Sequence, residues 1–246
     1  VCFVSACAPA DRNPQIAATI QELLAGARPA PLDEQAWQEA QRFYKERAHV
    51  PAWVQDGKPL KAVDALRVLR TAPDHGLAES DYDIDDIATV LASEDEWEES
   101  IGALAQLDLR ITTALLALGH DIAIGRVNPA QLDPRWKKTR KPPDFAGLLA
   151  VAATQDLNAW LPSVQPRHPE YAALQKALAA LRAQHADDER IRLLAMNLER
   201  WRWMPDDFGS RHILVNIPAF HLAARENGRA VLDMKVVVGE VEAERR

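Results

Sequence analysis

Residues 197–222 read NLERWRWMPDDFGSRHILVNIPAFHL. Leu194, Leu198 and Trp201 share one helical face, and Trp203 lies at its end. Pro205 halts the helix, and Asp206-Asp207 with Gly209 turn the chain. From Arg211 to Ile217 the residues become β-branched and apolar, so a strand starts there. Helix patterning lies before this joint and strand patterning after it, which fixes the fold class as α+β, predominantly α. Taken singly, the tryptophans read as core packing. As a string they read as a rigid strut that anchors a sheet to a helical body through large aromatic rings.

Working back from the strut, helical spacing recurs along the chain. Ile16, Ile20, Leu23 and Leu24 form one face, and Gly26 with Pro29 closes it. Asp33 is placed to cap a second helix carrying Trp37, Ala40, Phe43 and Tyr44, which ends near His49-Val50-Pro51. Leu60, Val63, Leu66 and Leu69 make a third, and Asp81–Leu91 a short fourth. From Trp97 to Ile122 the pattern is apolar nearly all round, through Ile101, Leu104, Leu107, Leu109, Ile111, Leu115 and Leu118. Such a helix is buried centrally, so it is expected to be the hub. Residues 128–143 read as irregular, and further helices are expected at 144–155, 169–184 and 187–203.

Working forward, Val231–Val238 is a second apolar, β-branched run, and Glu226-Asn227-Gly228 between the runs signals a hairpin. A two-residue loop at Asn227-Gly228 would set Leu222 against Asp233 and Phe220 against Lys235. A three-residue loop sets Leu222 opposite Leu232 and Phe220 opposite Met234, keeping one face apolar. The three-residue loop is therefore predicted. Three strands with an apolar face need a covering layer, so the segment reads as the beginning of a larger β domain.

The formal net charge of -7 argues against broad binding to nucleic acid or anionic lipid. No uninterrupted apolar run reaches the roughly 18 residues of a membrane span. The two cysteines, Cys2 and Cys7, both lie in the first seven residues, an arrangement that suits neither a metal site nor a buried disulfide. Val4-Ser5-Ala6-Cys7 has the pattern of a bacterial lipobox, which makes Cys7 a candidate lipidation site. The other reading of this stretch is an arbitrary chain start.

Other motifs carry little chemistry. Asp81-Tyr82-Asp83-Ile84-Asp85 opens like a calcium loop, but Asp86 and Ala92 stand where glycine and glutamate are needed, so a capped helix start is expected. The acidic stretch Ser93–Ser100 reads as a helix N-terminus. Arg135–Lys141 is a basic run around Trp136, read as a solvated loop, with docking onto an anionic wall polymer as the lesser reading. The histidines at 49, 75, 120, 168, 185, 212 and 221 never fall at metal-ligand spacing, and no G-x-S-x-G elbow or phosphate-cradling glycine loop occurs. No catalytic, cofactor-binding or metal-ligating residue is assigned.

The string NLERWRWMP…G…RHILVNIPAFHL…VLDMKVVVG resembles the entry to the catalytic domain of large bacterial L,D-transpeptidases. FYKERAHVPAWVQDG at 43–57, DHGLAESDY at 74–82, LDLRITTALLALGHDIAIGRVNP at 107–129 and HPEYAALQKAL at 168–178 resemble the helical scaffold of the same enzymes. The resemblance implies acyltransferase chemistry that builds 3→3 cross-links in peptidoglycan, with a cysteine thiolate attacking a stem peptide and a histidine supporting it. In the family the nucleophile sits in a Ser/Thr-His-Gly-Cys run beyond the VVVG strand. No such run occurs in this sequence, so no catalytic residue is carried over and the chain is expected to be inactive alone. Many relatives carry a small wall-binding module before the joint; here the helix ending near Gln184 runs almost directly into His185-Ala186-Asp187, so that module is deleted, naturally absent or removed from this sequence.

The implied organisation is a signal remnant and linker at 1–13, a helical scaffold at 14–184, a connecting helix and turn at 185–209, and the first strands of a truncated catalytic domain at 210–246. The implied partners are peptidoglycan stem peptides and glycan strands, with other wall synthases in second place. The implied location is the periplasm, with Cys7 as a membrane anchor, and no cofactor. The alternative is a non-enzymatic cell-wall scaffold or binding protein.

Overall fold

The computed structural model describes residues 11–28, 34–93, 100–137, 140–185, 187–217 and 219–238. The chain divides into two compact units, Val1–Met204 and Pro205–Arg246. The architecture is α+β and predominantly α, with helices throughout the first unit and one antiparallel sheet in the second.

The first unit contains α1 (Asn13–Ala25), α2 (Glu34–Glu46), α3 (Ala62–Leu69), α4 (Ile84–Ala92), α5 (Ile101–Ile124), α6 (Pro129–Leu132), α7 (Phe145–Thr154), α8 (Trp160–Val164), α9 (Pro169–Ala183) and α10 (Asp188–Arg202). Their ends follow local chemistry. The Ser100 hydroxyl accepts the Ala103 N–H to cap α5, and Asp144 and Asp187 cap α7 and α10 in the same way. Pro169 opens α9, where its missing N–H has no intrahelical partner to lose. The expected Asp33 cap and the core of the acidic stretch, residues 94–99, lie outside the described residues.

The hub is α5, as its all-round apolar pattern predicts. It packs against α1, α2, α3, α4, α7, α8 and α10, and Leu104, Ile111, Leu115, Leu118 and Ile122 are fully buried. By length and composition this helix could cross a membrane, yet 67% of its most apolar window is buried inside the structure. Residues 157–164, which the periodicity leaves as a connector, form a short 3-10 turn and α8. Trp160 from α8 is fully buried against Gly119 of α5, where a Cβ would lie 2.5 Å from the indole. A smaller second core joins α9 and α10 through Tyr171, Leu178 and Leu198, with Trp201 packed beside them.

The second unit is the sheet β1 (Arg211–Asn216), β2 (His221–Glu226) and β3 (Arg229–Lys235), in the order β1-β2-β3. The hairpin differs from the predicted three-residue loop. Glu226 pairs with Arg229, leaving Asn227 and Gly228 as a two-residue loop. Both have positive φ, 49° and 77°, the backbone of a type I′ turn. The register then shifts between Ala224 and Arg225, so Val231 is the extra residue of a bulge. Past it Ala224 faces Leu232 and Leu222 faces Met234. The apolar face is preserved, but by a bulge and not by the longer loop.

Candidate functional site

The one candidate site residue of the sequence reading, Cys7, lies outside the described residues, as does Cys2. Each histidine has a separate place. The His75 Nδ1 lies 3.1 Å from both the Tyr171 hydroxyl and the Gln175 amide. The His120 Nε2 lies 3.1 Å from Gln35, the His168 ring packs against Trp201, and His221 pairs with Asp233 on the sheet. Among the described residues no group of three His, Cys, Asp or Glu side chains is arranged to hold a metal. Three of the acids between residues 81 and 86 are held by two arginines, Asp81 by Arg126 and Asp83 and Asp86 by Arg110.

Three polar constellations organise the first unit. The deepest is Asp108, fully buried on α5. One carboxylate oxygen accepts the Tyr44 hydroxyl at 2.6 Å and the Ala52 N–H at 3.0 Å; the other accepts the N–H groups of Trp53 and Val54 at 2.7 and 2.9 Å. The Trp53 indole donates to Thr112, one turn along α5, at 2.8 Å. Burial pushes the Asp108 carboxyl above its ordinary range, opposed by these donors. The PAWV segment therefore folds onto the hub through three consecutive backbone donors, and no periodicity argument reveals that.

The second constellation fixes α10. Glu199 accepts the backbone N–H groups of Arg126 and Val127 at 2.7 and 3.1 Å and the Trp203 indole N–H at 3.1 Å. Its other oxygen accepts from Arg202, 1% exposed, at 2.8 Å. Arg202 also donates to the His75 carbonyl. Two glycines permit this approach. Gly76 and Gly125 hold φ of 73° and 84°, and a Cβ on either would fall within 3 Å of α10. Burial, with the nearby Arg202 charge, drives the His75 imidazole down to about 3.

The third is an open cleft of about 520 Å³ between α2, α5 and the segment before α4. Ala36, Thr113, Ala114 and Ala117 line one part of it, and Asp81, Tyr82, His120, Asp121 and Arg126 another. Arg126 reaches Asp81 at 2.6 Å and Asp121 at 3.5 Å. The Tyr82 hydroxyl donates to Asp121 at 2.8 Å. Sequence reasoning missed this site because its residues come from a helix start, the hub and the loop after it.

The basic run is not a uniform solvated loop. Arg140 is buried and donates to the carbonyls of Ala123, Val164 and Gln165 at 2.7, 2.6 and 3.0 Å. Arg135 is held by Asp133 at 2.9 Å, and Trp136 meets Trp203 edge to face at 5.6 Å. Lys138 and Thr139 lie outside the described residues. Arg140 is thus committed to the fold, whereas Arg135 stays exposed beside its neighbour Asp133.

A family model described as "Scaffold domain" matches residues 38–178. The matched span contains the Asp108 node, the cleft apart from Ala36, and the His75 and Tyr171 side of the α10 clamp. No curated protein matches the chain.

Proposed function

The chain belongs to the Scaffold domain family, and from that premise we propose that it is an L,D-transpeptidase-like protein of peptidoglycan cross-linking. In this reading the helical unit is the scaffold. The sheet is the first part of the catalytic domain. The reading places the protein in the periplasm, with Cys7 as its lipid anchor.

One observation supports it above others. On one sheet face Ile213, Val215, Leu222, Ala224, Leu232 and Met234 lie side by side. Ile213 and Leu232 are 68% and 50% exposed. A contiguous apolar face of this kind suits further strands or a covering layer, as expected of the opening of a larger β domain. The four scaffold strings also fall inside the matched span.

The test is genetic and chemical. Deleting the gene and digesting the sacculi with a muramidase is expected to lower the share of 3→3 linked muropeptides seen by mass spectrometry. Restoring the natural gene should recover it, and an unchanged 3→3 share in the deletion strain contradicts the reading. A second reading, a non-enzymatic wall scaffold, is supported by the match to a scaffold domain over residues 38–178. It predicts that the protein sediments with purified sacculi while the deletion leaves cross-link chemistry unaltered.

A further inference from the structure

The cleft between α2 and α5 has a shape and a charge that specify different parts of one ligand. Its volume of about 520 Å³ is in the range of small-molecule sites, roughly 300–1,000 Å³. The hollow exists because Ala36, Thr113, Ala114 and Ala117 are short where two helices face each other. That surface offers apolar contact a few methylenes long. The adjoining wall carries Asp81 and Asp121, whose carboxylates share the single guanidinium of Arg126. Asp121 is already fixed by Tyr82, whose ring is 2% exposed, so it does not need to be ordered on binding. Arg126 is fixed too, because Glu199 holds its backbone N–H. Asp121 and Asp81 are 19% and 31% exposed, which weakens solvent screening at the wall. His120 completes the lining with its ring against Phe145.

An anion entering this space would meet two carboxylates for each arginine. A purely apolar chain would leave the wall's excess negative charge, two carboxylates against one guanidinium, without a counter-ion. An aliphatic chain ending in an ammonium group satisfies both parts, with methylenes on the alanines and the charge against Asp81 and Asp121. We propose that this cleft is a binding site for an alkylammonium side chain, of the kind a lysine or another diamino acid presents in a peptide. The site lies wholly within the helical unit and does not depend on the cell-wall reading.

The probe is Nα-acetyl-lysine-N-methylamide, titrated into the full chain and followed by NMR at the His120 ring and the amides of Ser80–Asp83. The norleucine analogue, with the same chain but no ammonium, and the glutamate analogue are controls. Saturable shifts at these positions with the lysine compound alone are expected, weakening as salt is raised. Asp81→Asn should weaken binding by about threefold to fivefold, the size of a partly screened ion pair. Ala117→Leu, which fills the hollow without touching a charge, should abolish it. If Ala117→Leu fails to fold, the smaller Ala117→Val supplies the shape arm and should weaken binding, while Asp81→Asn alone supplies the charge arm. Equal binding of the norleucine analogue, shifts confined to other surfaces, or no saturable shift with the lysine compound overturns the proposal.

Discussion

Asp108 shows how much one side chain can hold. It satisfies three consecutive backbone N–H groups and a tyrosine hydroxyl in a site closed to water. Asp108→Ala strands the three backbone donors and leaves the Tyr44 hydroxyl only Thr112, and equilibrium urea unfolding should show a loss of roughly 3–5 kcal/mol. Gly119→Ala tests packing with no polar term. Its new methyl would lie 2.5 Å from the Trp160 ring, so a loss of about 1–3 kcal/mol is expected. Gly102→Ala on the same helix meets only Ser100 Oγ at 3.8 Å and should be neutral or stabilising. His75 supplies the pH dependence. Its folded value of about 3 lies below the ordinary 6.5, so the unfolded chain takes up the proton first as pH falls. The stability tied to this group is complete above about pH 6.5 and declines toward pH 3, by up to about 5 kcal/mol. Comparing the pH-melting profile with that of His75→Gln checks the sign, because the variant should lose that part of the acid slope. Neither Asp108 nor His75 was legible as important. Their partners lie 54–64 and 96–100 positions away in sequence, beyond the reach of periodicity.

At the scale of elements, the sequence spoke most clearly where one helical face is apolar. Ile16 and Ile20 on α1, Trp37 to Tyr44 on α2, and the all-round pattern of α5 are buried as their spacing predicts. The reading failed where two rules had to be met together. Asn227-Gly228 demands a two-residue turn, while an apolar face demands a different register; the Val231 bulge satisfies both. It also failed at α8, which is five residues long and contains Pro162, too short for a 3.6-residue period to register. The Trp-Arg-Trp string closes α10, and the anchor of that helix to the hub is polar. Glu199 ties α10 to the loop after α5 and to Arg202. Glu199→Ala leaves a buried guanidinium without its carboxylate, and a loss of about 3–5 kcal/mol in thermal or urea unfolding is expected. Glu199→Gln should recover part of that loss, since its oxygen can still accept from the loop.

For the whole molecule, the α+β class was legible from the single break at Pro205, because period-3.6 patterning stops there and β-branched runs follow. The cleft was not legible, since Asp81, His120 and Arg126 meet only after α4 and the loop beyond α5 fold against the hub. What unites the helical unit is a central helix that collects both the apolar core and the deepest polar node. Native-state hydrogen exchange tests that organisation most directly. The amides of Ala52, Trp53 and Val54, though in an irregular segment, should exchange only through global unfolding, with protection equal to that of mid-α5 amides such as Leu115. Exchange of those three amides at the rate of exposed loop residues would contradict the account.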